Sequence, residues 1–339
     1  MFPRFLAGFF LLIALVWGVF YLSGPAAVRR EAAEPWPYGL GSLQEAADHR
    51  PFEPSPESEQ LGALVEPFRE IDADAFDAYV AAQIAKSDDG IDPLPPNAGL
   101  AEHEAELAEL VRFVDANGDR LRWSSYYLSN VTTLLAAAAL DRARIGDAAA
   151  AWDEVHAIWI LSRALAPTSG WRSQEQALLA VRIATAIARK LPAPAPPWVA
   201  QMAAYDPRRQ TALVLLDREK LQVRRRRGLV YVLAQPFLDR SRASQMRRAR
   251  LAAEGMAASK PCHAKSTAPD VSRAARMEAE LDAMAKVLAL KSERARLGRW
   301  PAALPGGNGS RCAETQWEYR VEPDGAHMAL SMPPLRFSY

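Results

Sequence analysis

Apolar positions fall into three regimes along this chain. The first is a run with no charge, Phe5 to Leu22, "FLAGFFLLIALVWGVFYL". The second, from residue 57 to 260, repeats apolar positions at helical spacing between charged and small residues. The third is an alternation near the end. Trp317, Tyr319 and Val321 alternate with charged neighbours, Pro323-Asp324-Gly325 supplies a turn, and Met328 and Leu330 resume the pattern. This reads as a β-hairpin.

Within the second regime the periodicity predicts helices over Glu59 to Lys86, Ala101 to Val114, Trp123 to Ile145, Ala148 to Leu165 and Gln174 to Lys190. Between the third and fourth, Gly146 suits a left-handed helix end and Asp147 a cap for the next. Two helices joined so closely pack antiparallel. "LPAPAPPW" ends the fifth, because proline lacks the helical donor. Asp206-Pro207 opens another helix as cap and first turn, running to Arg227. Leu229 to Arg250 continues helical with a break expected near Pro236, and "KPCHAKSTAPD" reads as a loop. From Val271 to Leu297, Ala274, Met277, Leu281, Met284 and Leu288 form one stripe, with Glu and Arg on the opposite face.

The fold class expected is mainly α, with a helical bundle or irregular α-solenoid body and a small C-terminal β-hairpin. Four segments follow: a transmembrane anchor (1–25), a Pro/Gly-rich juxtamembrane linker (26–56), the helical body (57–260), and a long helix with the hairpin (261–339). As a helix the first run spans roughly 27 Å, close to the hydrocarbon thickness of a bilayer. Trp17 and Tyr21 lie toward its far end, where aromatic rings favour the interface. No small-x-small cleavage site follows it, so an uncleaved anchor is the first reading, ahead of a cleaved signal peptide or a buried helix. No other run approaches its length, which predicts a single pass. Arg4 on one side and Arg29 and Arg30 on the other leave the orientation count nearly tied. The short N-terminal tail and the two cysteines favour an inner-membrane protein with a periplasmic body.

Composition refines this picture only a little. Half the residues are hydrophobic, and abundant alanine favours helix. Net charge is +1, so overall charge selects no partner. Its distribution is uneven: residues 31–115 hold 20 acidic against 4 basic side chains, and residues 206–250 hold 4 against 13. Mutual attraction within the fold is the plain reading, with a phosphate- or lipid-facing surface as the sharper alternative. Arg224, Arg225, Arg226 and Arg227 are the candidate anionic-surface contact. Four consecutive residues point all round a helix, and few aromatic residues are near to stack bases, so no nucleic-acid partner is expected.

Catalytic signatures are missing from the sequence. His49, His103, His156, His263 and His327 are scattered without metal-ligand spacing, and no metalloprotease, nucleophile-elbow or phosphate-loop motif occurs. His156 falls on an apolar helix face and reads as a core histidine. Asp88-Asp89 reads as a turn pair accepting backbone hydrogen bonds. No cofactor and no metal are expected. Cys262 and Cys312, the only cysteines, admit a disulfide, two free thiols or, with His263, a metal.

"LKSERARLGRWPAALPGG", Leu290 to Gly307, joins the last helix to the hairpin. Gly298 is placed to cap the helix, Pro301 to prevent its restart, and Trp300 and Leu304 to fold back as a structural turn. The segment Leu281 to Ser331, with Gly298, Trp300, Pro301 and Leu304 in a G-x-(Tyr/Trp)-P-x-x-L pattern before "YRVEPDG", resembles the tail of uncharacterised bacterial single-pass, membrane-anchored helical proteins. The helix pair Trp123 to Leu165 resembles their middle. A similar turn occurs in pseudopilins of type II secretion. Those carry a G-F-T-L-x-E processing site at the head of the hydrophobic helix, whereas this chain reads "MFPRFLAGFF" there. The resemblance therefore implies the tail module and a membrane anchor, not fibre assembly, and it brings no activity. Two function classes follow: a non-enzymatic envelope protein whose helical body binds another envelope or secretion-system protein, and an envelope hydrolase with a site built from distant residues.

Overall fold

A computed structural model describes all residues except 1, 49–54, 70, 72, 96–98, 123–127, 166–169, 224–228, 261–268, 313–314 and 332–333. The protein is mainly helical, with a small antiparallel sheet near the C-terminus. The chain forms two compact units, Met1–Pro51 with Ala212–Ala258, and Phe52–Thr211 with Ser259–Tyr339.

In the first unit α1 runs from Phe2 to Ala33. Two-residue strands β1 (Pro35–Trp36) and β2 (Gly41–Ser42) then pair antiparallel around a 3-10 turn, followed by α2 (Leu43–Asp48). The expected linker over 26–56 is thus partly ordered structure. Helix continues through Pro25, and the buried Trp36 and Leu43 give the segment its own apolar contacts. The remaining helix of the unit, α11, lies far along the chain (Leu229–Ala258) and packs along α1. Ala243, Met246, Ala253 and Met256 are buried at helical spacing on it. Arg250 pairs with Glu31 at 3.3 Å, both side chains largely buried. No break occurs at Pro236: a proline removes one donor, and the other hydrogen bonds carry the helix across it.

The second unit holds α3 (Pro56–Val65), α4 (Asp74–Ala85), α5 (Glu104–Asn117), α6 (Leu128–Arg144), α7 (Ala148–Leu165), α8 (Trp171–Lys190) and α9 (Val199–Ala203). After α10 (Pro207–Val223), which crosses the boundary, come α12 (Pro269–Leu297) and the strands β3 (Glu318–Glu322), β4 (Gly325–Leu330) and β5 (Leu335–Ser338). The single helix expected over Glu59 to Lys86 is two helices. Pro67 cannot donate within a helix, and a 3-10 turn, Glu66–Phe68, takes over there.

Every residue from Val131 to Leu140 on α6 is buried. Its alanine run lets α7 and α8 approach closely, and Thr133 donates to Asp77 Oδ1 on α4 at 2.6 Å. The α6–α7 turn forms as its residues dictate. Gly146 has φ +89°, the amide of Asp147 donates to Arg142 O at 2.9 Å, and Asp147 Oδ1 accepts from the amide of Ala150 at 3.2 Å. Residues after α8 fold over α7. Trp152 donates to Pro192 O at 3.3 Å and meets Trp198 edge-on.

Helix α12 has two apolar faces, not one. Met277, Leu281, Met284 and Leu288 enter the helical core, while Ala279, Ala283, Val287 and Leu290 form a second core with the sheet. Small residues on that second face read as neutral in the sequence, yet they are what lets a sheet lie close. The expected hairpin is two of three strands, ordered β3-β4-β5. Trp317, Met328, Leu330, Leu335 and Phe337 fill its inner face, and Val321 is exposed, contrary to the alternation. Strand β5 lacks a long alternating run, so its pairing is set by tertiary contact.

Candidate functional site

A cavity of about 560 Å³ opens in the second unit between α5, α6, α7 and the segment before α5. Apolar side chains Leu94, Leu100, Leu107 and Val111 line part of it. Ionisable side chains line another part: Glu104, Asp141, Asp153 and Glu154 with Arg112, Arg142 and Arg144. Most of these are paired. Arg142 is held by Glu104, Arg144 Nη2 lies 2.8 Å from Asp141 Oδ1, and Arg112 Nε donates to Ala108 O at 3.2 Å.

Two lining carboxyls, Asp153 and Glu154, have no salt bridge among the described residues, and Glu154 is the buried one. It is 9% exposed, and among the described residues its buried Oε2 has no hydrogen-bond partner. Its place follows from the sequence of α7: Ala151, Glu154, Ile158 and Leu161 recur at spacings of three and four, so the acid sits on the buried stripe. Burial pushes its carboxyl up to about 8. Arg142 opposes that rise, and Asp147, Asp153 and Asp141 add to it. Asp153 is also raised, by burial and then by Asp115. Among the described residues no Ser, Cys or His lines the cavity, so they offer no such nucleophile–base pair.

A second charged centre lies where α8, α12 and the residues after α4 meet. Lys291 Nζ donates to the carbonyls of Arg189 at 2.5 Å and Leu191 at 3.0 Å, and lies 3.0 Å from Asp89 Oδ1. Lys190 Nζ donates to Asp88 O at 2.6 Å and Gly90 O at 3.2 Å. Burial depresses both lysines, Lys190 to about 8. The Arg189 guanidinium sits 4.3 Å from the centre of the Phe337 ring, and Ser338 donates its amide to Ser87 O. Of the aspartate pair only Asp88 acts as the turn pattern predicts, accepting from the amide of Gly90 at 2.8 Å. Neither lysine carried a sequence signal. Their partners are about a hundred positions away.

Other sequence candidates have separate places. Gly298 caps α12 with φ +67°, its amide donating to Arg294 O at 2.9 Å. Arg294 lies over the Trp300 ring, Pro301 O accepts from Tyr319 Oη at 2.8 Å, and Leu304 is buried in the sheet core. Cys312 is disulfide-bonded. Cys262, His49, His263 and Arg224 to Arg227 lie outside the described residues. His156 is partly buried, stacked on Trp198 and 3.1 Å from Asp115. His103 meets Phe68 edge-on. Glu322, Asp324 and His327 gather on the β3–β4 hairpin with ligand atoms within 4.8 Å. His327 already spends one ring nitrogen on Ser338 and the other on Asp324.

The apolar run of α1 is exposed: Leu11 is 70%, Leu15 61% and Leu22 78% accessible. It is the one helix among the described residues long and apolar enough to cross a membrane. No protein-family model matches the chain, and neither a curated protein nor a solved structure gives a match.

Proposed function

We propose that this chain is a non-enzymatic, single-pass membrane protein, anchored through Phe5 to Leu22, with a helical body that binds a partner or ligand outside the cytoplasm. One observation carries the anchor: α1 presents large apolar side chains on every side, with only 6% of its apolar window buried. Each such side chain left in water forgoes about 1.5–3 kcal/mol, which a bilayer returns. Its backbone polar groups are satisfied within the helix, as lipid requires. The all-round burial of α6 supports a bundle over a solenoid, in which each unit touches only its neighbours. A binding role is supported by the cavity, where Arg142 and Arg144 are matched by carboxylates and the buried Glu154 carboxyl is left for a ligand. The pseudopilin-like turn around Trp300 fits a partner in the envelope.

Alkaline carbonate extraction tests the anchor. The full chain is expected to stay with the membrane pellet, and a variant lacking residues 5–22 to be released. Release of the full chain overturns the reading. Alkaline phosphatase fused after residue 339 is expected to be active; an inactive fusion beside an active cytoplasmic reporter places the body on the other side.

A further inference from the structure

The cavity beside Glu154 places a definite chemical demand on what fills it. Glu104, Asp141, Asp153 and Glu154 line it together with Arg112, Arg142 and Arg144, and Asp147 stands close enough to act on Glu154. Arg142 and Arg144 are engaged by carboxylates, so an anionic ligand would have to displace partners there, and Arg112, which gives its Nε to Ala108 O, is the one lining cation without a carboxylate among the described residues. Once Glu154 ionises, the lining carries one negative charge more than positive, and Oε2 still lacks a donor. A positively charged donor meets both needs, and Leu100, Leu107 and Val111 offer an apolar wall for the remainder of the molecule. The volume suits a small organic ligand.

We propose that this cavity binds a primary ammonium on a short aliphatic body, with the ammonium seated on the Glu154 carboxylate and the aliphatic part against Leu100, Leu107 and Val111. This rests on the reading that the body binds its ligand and does not transform it. Binding is coupled to a proton. In the empty cavity Glu154 is protonated up to about pH 8, held there by burial and by Asp147, Asp153 and Asp141 against the pull of Arg142. The ammonium already carries its own proton, so seating it below that pH expels the carboxyl proton to solvent. Affinity therefore rises about tenfold per pH unit toward pH 8 and levels off above it.

Isothermal titration of the full chain in detergent micelles tests this, with hexylamine as the probe and hexan-1-ol as the same body without the ammonium. Runs at pH 6, 7, 8 and 9 in two buffers of different protonation enthalpy count the released proton. Hexylamine is expected to bind at least about tenfold more tightly than hexanol, and about 50-fold more tightly at pH 8 than at pH 6. Glu154→Gln, of the same shape, is expected to lose both the preference and the pH dependence. Ala108→Phe, on the exposed rim, is expected to weaken binding while leaving Glu154 in place. Equal affinity for the two probes, affinity indifferent to pH, or unchanged binding by Glu154→Gln overturns the site. Chemical conversion of hexylamine, read by mass spectrometry, overturns instead the non-enzymatic reading. Carbonate extraction of Glu154→Gln reports on the anchor alone, so the two proposals fail separately.

Discussion

Glu154 and Lys291 are buried to nearly the same extent, 9% and 8% exposed, and the protein treats them in opposite ways. Lys291 surrenders its water and receives two backbone carbonyls and Asp89 in return. Glu154 surrenders its water and keeps one oxygen without a partner, beside a cavity. An isolated buried charge is costly, and a matched one is tolerable. The first arrangement holds α12 to the end of α8. The second leaves an unmatched carboxyl in the wall of a cavity. Burial alone thus does not set Glu154 apart; its place in the wall of a cavity, with an oxygen that has no donor, does.

The largest expected effect breaks the matched centre. Lys291→Met removes the cation from Asp89 and the donor from two carbonyls, and is expected to destabilise the body by about 3–5 kcal/mol in urea denaturation. A loss below about 1 kcal/mol would mean that the centre is not holding these elements together.

Next comes the pH profile of the unmatched group. Glu154 is neutral in the folded chain up to about pH 8 but ionises near 4.5 once unfolded. Between those values the folded state holds one more proton, so its contribution is fully present below about pH 4.5 and is lost as pH rises to 8. Roughly 3 kcal/mol of decline is expected, after allowance for water reaching the cavity, and Glu154→Gln should remove that slope. An unaltered slope in the variant would assign it to other groups.

Replacing the same acid by a hydrocarbon sharpens the contrast further. Glu154→Leu at pH 7.5 is expected to raise stability by about 1–2 kcal/mol, since an unpaired buried carboxyl gives way to apolar contact. Destabilisation would show that Glu154 is already well paired in solution. The smallest effect separates adjacent aspartates. Asp88→Ala loses one exposed turn hydrogen bond and should cost about 0.5 kcal/mol, whereas Asp89→Ala strands Lys291 and should cost several times more.

Where a structure is decided by neighbours in the chain, it could be read from the sequence. The α6–α7 hairpin is set by Gly146 and Asp147, and the cap of α12 by Gly298, each acting within one turn. The break after α3 was equally local, yet the amphipathic pattern either side of Pro67 concealed it. Pro236 misled in the opposite sense, because the other hydrogen bonds of a long helix carry it past a single lost donor. The second apolar face of α12 was invisible because Ala279 and Ala283 acquire meaning only from the sheet that packs on them.

The candidate site was half legible. Spacing puts Glu154 among Ala151, Ile158 and Leu161, an acid in a core stripe. Whether a basic residue meets it there is a question about α5 and α6, which sequence spacing on α7 does not answer. Lys291 looked like any charged residue of a surface helix, because Asp89 and the carbonyls of Arg189 and Leu191 come from elsewhere in the chain.

The pairing of α1 with α11 also has a meaning in time. Glu31 precedes Arg250 by 219 positions, so α1 is complete long before its partner helix is made. At about 5–20 residues per second the interval is on the order of 10–40 s. Through that interval the exposed apolar face of α1 is without α11 and is an aggregation liability. Helix α11 therefore joins an element made well before it.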